Sequence, residues 1–524
     1  METDPSERPD HDRSLEDAYE ALLDRSRRWS AVSSASGVLS WDQQVMMPEG
    51  GTPARSKQLS ALSSLEHDLL TAEKTGDLLD EIDERSEPSA NAGLSDEQAS
   101  AVREIRRTYE RADSVPRDLV EEISEASSEA LAVWEQARAA DDFASFAPHL
   151  ERLVELKREY AEHIDPDRDP YTVLFEEYEP YLPIEQAETI LEELRGTLVP
   201  LIDAIRGSEA DLAVNTFEGS FPEDKQETLA REALDLLGYD FERGRLDISA
   251  HPFTAGNQFD CRVTTRFDDS DPLSAVGSTI HEFGHARYTL GLPQNHFGTP
   301  LGESRDLSVH ESQSRLWENH VGRSRAFWEQ FLPTFQEFFP GTEDATVEDA
   351  YEAVNQVHPN NLIRVQADEL TYHLHILVRF EIERDLVRGH LAVEDVPEVW
   401  NDKYERYLGI RPETDAEGCL QDVHWSHGNF GYFPTYSLGS VMAAQLFAAA
   451  ERDIDDRDGP DLEARIADGE FDALHEWLHE NVHRHGARYE TDELVRLATG
   501  ESLSAAAFTE YVESKYGELY GVSP

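Results

Sequence analysis

The pattern His281-Glu282-Phe283-Gly284-His285 is the stretch of this sequence best suited to chemistry. Histidines four residues apart lie one turn apart on the same face of a helix, so both imidazoles can reach one zinc ion. Glu282 projects beside them, where its carboxylate can take a proton from water that the metal has acidified. The pattern therefore predicts a catalytic zinc site.

A catalytic zinc site has three protein ligands and one open position, so a third ligand is needed. Glu311 follows His285 by 26 residues (311 − 285), near the start of a second predicted helix. That distance lets the chain turn and pack the second helix against the first. On spacing alone Glu311 is equally well explained as a solvated carboxylate, because the chain has 108 acidic residues. Its selection depends on the motifs described below.

A second match to the same pattern, His475-Glu476-Trp477-Leu478-His479, lies near the C-terminus. Chance matches are expected in a chain this rich in His and Glu. The apolar residues here form a helical packing stripe: Phe471, Leu474, Trp477, Leu478 and Val482. This stripe leaves His475, His479 and His483 on a more polar flank, and no matching acidic ligand follows. We interpret the second match as a helix face without metal chemistry.

The first pattern lies in a stretch, Asp271–Gly291, that predicts a single helix. Asp271 can cap the helix, and Pro272 fits the first turn, where its missing N–H costs nothing. Apolar residues recur at helical spacing between the two ends. Gly277 and Gly284 are poor helix formers, which predicts the close approach of another backbone.

The rest of the chain predicts a mostly α protein. Residues between Phe241 and Phe267 are rich in β-branched and aromatic types with Gly and Pro punctuation, which predicts a small β element next to the metal helix. The sequence predicts a disordered acidic tail over residues 1–13. It predicts a single helical domain over residues 14–524, which can consist of two lobes. Besides the metal helix, helices are predicted over 15–30, 57–79, 96–111, 116–139, 143–163, 184–206, 224–237, 308–337, 347–357, 361–386, 394–407, 437–453, 470–484, 491–498 and 503–519.

The net charge of −62 is the most unusual feature of the composition, with 108 acidic against 46 basic residues in 524. Such a surface repels nucleic acid and anionic membranes, so neither is an expected partner. We interpret the charge as adaptation to a saline cytoplasm, where dissolved salt screens the repulsion. Full activity in dilute buffer would contradict this halophilic interpretation.

Cysteine content and hydropathy exclude further classes. Cys261 and Cys419 are the two cysteines, too few for a disulfide framework or a thiolate zinc site. The N-terminal sequence METDPSERPDHDRS has no apolar core, so no signal peptide is expected. No apolar run approaches the roughly 20 residues that span a bilayer. We expect a cytoplasmic protein.

Six short motifs occur in a fixed order along the chain: HPF at 251–253, DCRVT at 260–264, HEFGH at 281–285, HESQ at 310–313, IRVQAD at 363–368 and GCLQDVHW at 418–425. The series resembles that of the carboxypeptidase Taq family of zinc metallocarboxypeptidases. The resemblance extends from about Leu22 to Tyr520. One departure is Glu179-Pro180-Tyr181, where a glycine is expected after the proline; it lies in a loop remote from the motifs.

The resemblance implies a mostly α, saddle-like helical zincin fold with a deep active-site groove and a small β-sheet beside the metal helix. It implies a homodimer that removes single residues from peptides with a free C-terminal carboxylate. It also implies one zinc ion per chain on His281, His285 and Glu311, with Glu282 as the catalytic carboxylate that accepts a proton from water and passes it to the leaving amine. Cobalt or manganese can replace zinc at such a site.

Peptide hydrolysis also needs a donor for the developing oxyanion. His424 and Tyr432 are the first candidates, and Tyr436 is the reserve, because all three lie in HWSHGNFGYFPTY (424–436), which overlaps the last motif. Either tyrosine is equally well explained as aromatic core.

An exopeptidase must in addition bind a free carboxylate, which calls for a cation or paired donors. Arg364 in IRVQAD is the preferred candidate, with Arg262 and His251 as alternatives. An ordinary ion pair between Arg364 and Asp368, four residues apart on the predicted helix, is the competing explanation.

Two other functions compete with the carboxypeptidase. A related helical zinc oligopeptidase or dipeptidase would share the metal helix and a distant glutamate ligand, but it would cleave peptides whose C-terminus is amidated. A zinc-stabilised scaffold or peptide-binding protein would have no need of Glu282 as a base. The preferred C-terminal residue depends on the shape of the pocket, so we take specificity to be broad.

Overall fold

The computed structural model describes residues 14–86, 93–213 and 216–523, so the tail predicted at 1–13 lies outside the described residues. In chain order the α-helices are α1 (Leu15–Val45), α2 (Thr52–Leu70), α3 (Glu73–Ser86), α4 (Asp96–Ser114), α5 (Arg117–Ala140), α6 (Phe143–Ile164), α7 (Pro170–Phe175), α8 (Ile184–Arg206), α9 (Glu223–Leu236), α10 (Pro272–Gly291), α11 (Leu307–Arg315), α12 (Arg325–Phe338), α13 (Val347–Val354), α14 (Thr371–Arg388), α15 (Val396–Leu408), α16 (Pro434–Asp455), α17 (Leu462–Ala467), α18 (Asp472–Asn481), α19 (Thr491–Thr499) and α20 (Ala506–Tyr520). The strands are β1 (Leu246–Ile248), β2 (Thr254–Asn257) and β3 (Asp260–Thr265). The predicted mostly α class with a small β element is confirmed.

The chain folds into two compact units, each assembled from three separate stretches of sequence. The first draws on Met1–Ser114, Gly219–Arg305 and Gly469–Glu490. The second draws on Val115–Glu218, Asp306–Asp468 and Thr491–Pro524. Within the described residues, we find no helix with the length and hydropathy of a membrane span.

The first unit contains the three-stranded sheet, in the order β1-β3-β2, and helix α10 packs against its central strand. Strand β1 runs parallel to β3, and β2 runs antiparallel to it. The β-branched residues Val263, Thr264 and Thr265 of β3 are buried, as expected of a strand covered by a helix. The sheet therefore lies beside α10, as predicted.

Helix α10 begins and ends where the sequence predicts. The Asp271 carboxylate accepts a hydrogen bond from the N–H of Ser274, and Pro272 occupies the first turn. The prediction for Gly277 is wrong, because a Cβ added there meets no atom of the described residues outside its own helix within 4 Å. The neighbours of Gly277 among the described residues leave room for a larger side chain at that position.

In the second unit, α16 is the central helix, and most of its residues are buried against α11, α14, α19 and α20. The single helix predicted over 308–337 is wrong, because a π-helical segment, Leu316–Gly322, and a break separate α11 from α12. A π-turn aligns residues five apart. It brings Arg323 to Glu318, with Nη2 to Oε1 at 2.7 Å. The buried ion pair accompanies the change of helix type.

Three other helix predictions differ from the structure. The single helix predicted over 57–79 is wrong, because α2 ends at Leu70 and α3 begins only at Glu73. Helix α1 does not end at residue 30 but continues to Val45, because no proline interrupts its Ala- and Ser-rich second half before Pro48. The helix predicted from residue 361 begins only at Thr371. The carboxylate of Asp368 accepts from the N–H groups of Leu370 and Thr371, which makes this the start of α14.

Candidate active site

The two histidines of α10 lie together, as their spacing predicts. His281 and His285 are half-buried, and their ring centroids are 4.9 Å apart in an edge-to-face arrangement. In the part of the chain that the structure describes, one group of His, Cys, Asp and Glu side chains could hold a metal ion: His281, His285 and Glu311, whose ligand atoms all lie within 4.8 Å of one another. Two imidazoles and a carboxylate are the donor set of catalytic zinc sites, so these residues fit zinc.

Glu282 is held by the sheet. It is 5% exposed, and the hydroxyl of Thr254 donates a hydrogen bond of 2.6 Å to its Oε2. Thr254 is the first residue of β2 and follows the HPF motif directly. The sequence analysis missed Thr254, although its place beside that motif was the available signal. Its bond fixes one oxygen of the carboxylate.

Glu311 is equally confined on α11, where it is 7% exposed. Arg315, one turn further along, donates from Nε to its Oε1 at 2.7 Å, and Ser314 donates to its Oε2 at 3.2 Å. On its other side lies Gly439 of α16, where an added Cβ would meet Cγ of Glu311 at 2.5 Å. Only glycine lets α16 approach this closely. These contacts restrict the carboxylate to one orientation.

Arg315 joins Glu311 to a buried row of alternating charges. Its Nη1 donates to Oε2 of Glu318 at 3.1 Å, and Glu318 also accepts from Arg323. The guanidinium lies over the ring of Tyr372, 4.8 Å from the centroid. Burial alone would lower the pKa of Arg315, but Glu311 and Glu318 hold it well above its usual value. The arginine therefore stays charged behind the carboxylate.

Arg364 lies in a short 3₁₀ turn, Arg364–Gln366, and not in a helix. The competing ion pair with Asp368 is not the one formed, because Nε and Nη2 of Arg364 contact Oδ1 of Asp422 at 2.9 and 2.8 Å. Its Nη1 donates to the hydroxyl of Tyr372 at 3.1 Å. Asp422 also accepts from Arg379, and the two arginines lower the pKa of its carboxyl despite its burial.

The three candidate oxyanion donors form one aromatic cluster. Tyr432 lies 5.5 Å from His424 and 5.4 Å from Tyr436, centroid to centroid. Burial lowers the pKa of His424 to about 4, so its imidazole is neutral at neutral pH. Burial also raises the pKa of both tyrosines, with the charge of Glu311 contributing. All three side chains are therefore neutral groups that can donate a hydrogen bond.

Glu383 of α14 holds the segment that carries these donors, and the sequence analysis missed it. Its Oε1 accepts from the N–H of Gly431 at 3.0 Å and from the hydroxyl of Tyr171 at 2.6 Å, and its Oε2 accepts from the indole of Trp425 at 3.3 Å. Burial raises its pKa to about 8 against these hydrogen bonds. No motif contains Glu383, so the sequence offered no signal for it.

The two alternative carboxylate binders have other surroundings. Arg262 pairs with Asp260, Nη2 to Oδ2 at 2.5 Å, and its guanidinium lies 4.2 Å from the ring centroid of Trp41. His251 is exposed, and its backbone carbonyl accepts from Ser249. Their predicted role stays a prediction.

The second His-Glu-x-x-His segment lies on α18. Its apolar stripe is buried as predicted. The prediction that the three histidines lie on a polar flank is wrong for two of them, because His475 is 8% exposed and His483 is fully buried. Among the described residues, neither belongs to a group that could hold a metal.

The chain is similar to known proteins over nearly its whole length. A family model described as "Carboxypeptidase Taq (M32) metallopeptidase" matches residues 21–516. Thermostable carboxypeptidase 1 of Thermus thermophilus is 42% identical over 97% of this chain and 99% of its own, and that of Pyrococcus furiosus is 38% identical over 94% and 97%. Among solved structures, the M32 carboxypeptidase of Deinococcus radiodurans matches with a TM-score of 0.91, 40% identity and coverage of 96% and 100%. Trypanosoma cruzi metallocarboxypeptidase 1 matches with 0.90, 35% identity and coverage of 96% and 100%.

Proposed function

The chain belongs to the carboxypeptidase Taq (M32) metallopeptidase family and is a metallocarboxypeptidase, and from that premise we propose that it uses one zinc ion to release single amino acids from the C-terminus of peptides. The observation that carries the proposal is the convergence of His281, His285 and Glu311 around one point. We assign these three residues as the metal ligands. When bound, zinc supplies Lewis-acid chemistry that acidifies water and polarises a carbonyl.

Glu282 is the proposed general base and acid. Thr254 fixes its Oε2, so the other oxygen, Oε1, can take a proton from water and return it to the leaving amine without the side chain rotating away. The hydroxyl of Thr254 thus acts through the carboxylate.

Tyr432 and His424 are the proposed donors to the oxyanion, with Tyr436 behind them. A neutral phenol or imidazole can donate a hydrogen bond to the negative charge that develops on the oxyanion, and it carries no negative charge that would repel it. Replacing the true donor, by Tyr432→Phe or His424→Gln, should lower kcat roughly 100-fold or more with little change in KM. Tyr436→Phe is the matched control for loss of a hydroxyl in the same cluster.

Arg364 is the proposed binder of the substrate carboxylate. A guanidinium has five N–H groups, and its contacts with Asp422 and Tyr372 leave donors for a second carboxylate. Arg364→Lys should raise KM for a free-acid peptide, because lysine cannot form the bidentate bond. Arg262→Lys tests the alternative, and a larger effect there would move the role to Arg262.

The experiment that tests the proposed function compares wild type with Glu282→Gln in high-salt buffer, by metal content and by peptide products. We expect one zinc per chain in both and stepwise C-terminal trimming by wild type alone. An amidated peptide should be almost inert. If it is cleaved internally as fast as the free acid, the oligopeptidase alternative replaces the carboxypeptidase.

The proposal also includes features that only the sequence supports. These are zinc rather than cobalt as the native metal, broad specificity, a homodimer and a saline cytoplasm as the working environment. Metal analysis of protein purified without added metal addresses the first. Light scattering in molar salt, set against a monomer mass of 59.3 kDa, addresses the homodimer.

A further inference from the structure

The second His-Glu-x-x-His segment contacts the metal helix from behind. On an α-helix each residue turns the side-chain direction by about 100°, so Phe283 and Arg287 point about 200° away from His281 and His285. Phe283, Arg287 and Gly291 form a row at four-residue spacing along this opposite face. His475 of that segment and His483, four residues beyond its end, lie against that row.

His475 makes the polar contact. Nε of Arg287 donates to its Nδ1 at 2.9 Å, and its Nε2 lies 2.9 Å from the backbone carbonyl of Leu237, the residue directly after α9. A carbonyl can only accept, so Nε2 carries the proton and Nδ1 is the lone pair that receives Arg287. One neutral imidazole thus links the side of α10 to the end of α9. A protonated ring would turn a second N–H toward the guanidinium.

His483 and the ring of His475 add packing to the same row. The centroids of Phe283 and His475 are 6.1 Å apart, and those of Tyr288 and His483 are 5.3 Å apart. A Cβ added at Gly291 would meet Nδ1 of His483 at 2.6 Å, so glycine is required for this approach. Contacts at both ends of the row resist rotation of α10 about its axis.

We propose that His475 is a positioning residue for the metal site: by accepting the hydrogen bond of Arg287 it fixes the rotation of α10, and with it the direction in which His281 and His285 present their imidazoles. This inference rests on the proposed function, in which those histidines bind the metal. Groups that orient ligands from outside the coordination sphere typically contribute 10- to 100-fold to metal affinity.

Two substitutions of His475 separate its two hydrogen bonds. In His475→Asn the amide oxygen replaces Nδ1 and can still accept from Arg287. In His475→Gln the terminal amide replaces Nε2 and can still donate to Leu237, while the acceptor for Arg287 is lost. His479→Gln, in the same segment and half-buried, is the matched control.

The measurement is the zinc affinity of metal-free protein in molar salt, by competition with a chromogenic chelator, with helix content monitored by circular dichroism. We expect His475→Gln to bind zinc roughly tenfold more weakly, and His475→Asn and His479→Gln to bind nearly as wild type. If His475→Gln does not fold, Arg287→Met removes the same bond from α10 and should weaken binding equally.

Wild-type affinity in both His475→Gln and Arg287→Met would overturn the inference while leaving the proposed function intact. So would equal losses in His475→Asn and His475→Gln, which would indicate packing rather than the Arg287 bond. Failure of the wild type itself to bind zinc would overturn the proposed function together with this inference.

Discussion

Two helices of this protein carry the pattern His-Glu-x-x-His, and their histidines have different surroundings. On α10, His281 and His285 are half-buried and converge with a carboxylate. On α18, His475 is buried, and it forms hydrogen bonds with Arg287 and with the backbone carbonyl of Leu237. The pattern places two imidazoles on one face in both cases, so the pattern alone does not make a metal site.

The glutamates differ as much as the histidines. Glu282 is 5% exposed and bound by Thr254, whereas Glu476 is exposed. A general base must be held in one position near its proton donor. The difference between the two helices therefore lies in their neighbours: β2 supplies Thr254 to the first.

The largest effect on activity is expected from substituting the glutamate of the first pattern, with the same substitution in the second pattern as the comparison. Glu282→Gln should lower kcat roughly 1,000-fold with zinc retained, because the amide cannot accept the proton. Glu476→Gln makes the same change in the second pattern and should leave kcat and KM unchanged. Steady-state kinetics on one free-acid peptide measures both. Comparable losses in the two variants would mean that the second pattern has a role in catalysis.

The next prediction disturbs Glu311, the carboxylate that converges with the two histidines of the first pattern. Gly439→Ala places a methyl group where Cγ of Glu311 lies 2.5 Å away, so the carboxylate must shift from its bonds to Arg315 and Ser314. We expect zinc affinity to fall roughly 10- to 100-fold. Chelator competition measures this loss, and unchanged affinity would show that Glu311 can move without cost or does not bind the metal.

Local sequence patterns predicted the parts of the site that one element contains. The limits of α10 followed from Asp271, Pro272 and Gly291, and the pairing of His281 with His285 followed from their spacing. Motif order, rather than spacing, predicted the family, which is confirmed, and selected Glu311 as the proposed third ligand. Helical periodicity, turn residues and motifs are all written in consecutive residues, which is why a single chain reveals them.

The rest depended on contacts between distant residues. Arg364 was placed on a helix because nothing in IRVQAD shows that Asp368 binds the N–H groups that begin α14. Glu383 is not part of any motif, and its donors lie more than 40 residues away on either side. His475 was assigned to a polar flank because its partner, Arg287, is 188 residues earlier. Side-chain pairs at such separations leave no periodic signal.

The third prediction uses acid to test whether the buried histidine of the second pattern is neutral. Burial, together with the charge of Arg287, lowers the pKa of His475 to about 3, whereas an unfolded chain binds the proton near 6.5. Between these values the unfolded state holds more protons, so stability falls as the pH falls. Between pH 6 and pH 4, the free energy of unfolding of wild type should therefore fall more steeply than that of His475→Asn. The difference in slope should be up to about 1.4 kcal/mol per pH unit. Urea unfolding in molar salt measures both slopes, and parallel slopes would contradict a neutral, buried His475.

The smallest effect is expected at Gly277, on the face of α10 that carries His281 and one turn before it. A methyl group there meets no atom of the described residues outside its helix within 4 Å, and alanine is the better helix former by up to about 1 kcal/mol. Gly277→Ala should therefore raise the unfolding temperature slightly and leave zinc affinity unchanged. It is the counterpart of Gly439→Ala, since both add one methyl group to a helix, one into open space and one against Glu311, the proposed third ligand. Destabilisation by Gly277→Ala would indicate that a close neighbour, as the sequence predicted, does constrain the metal helix.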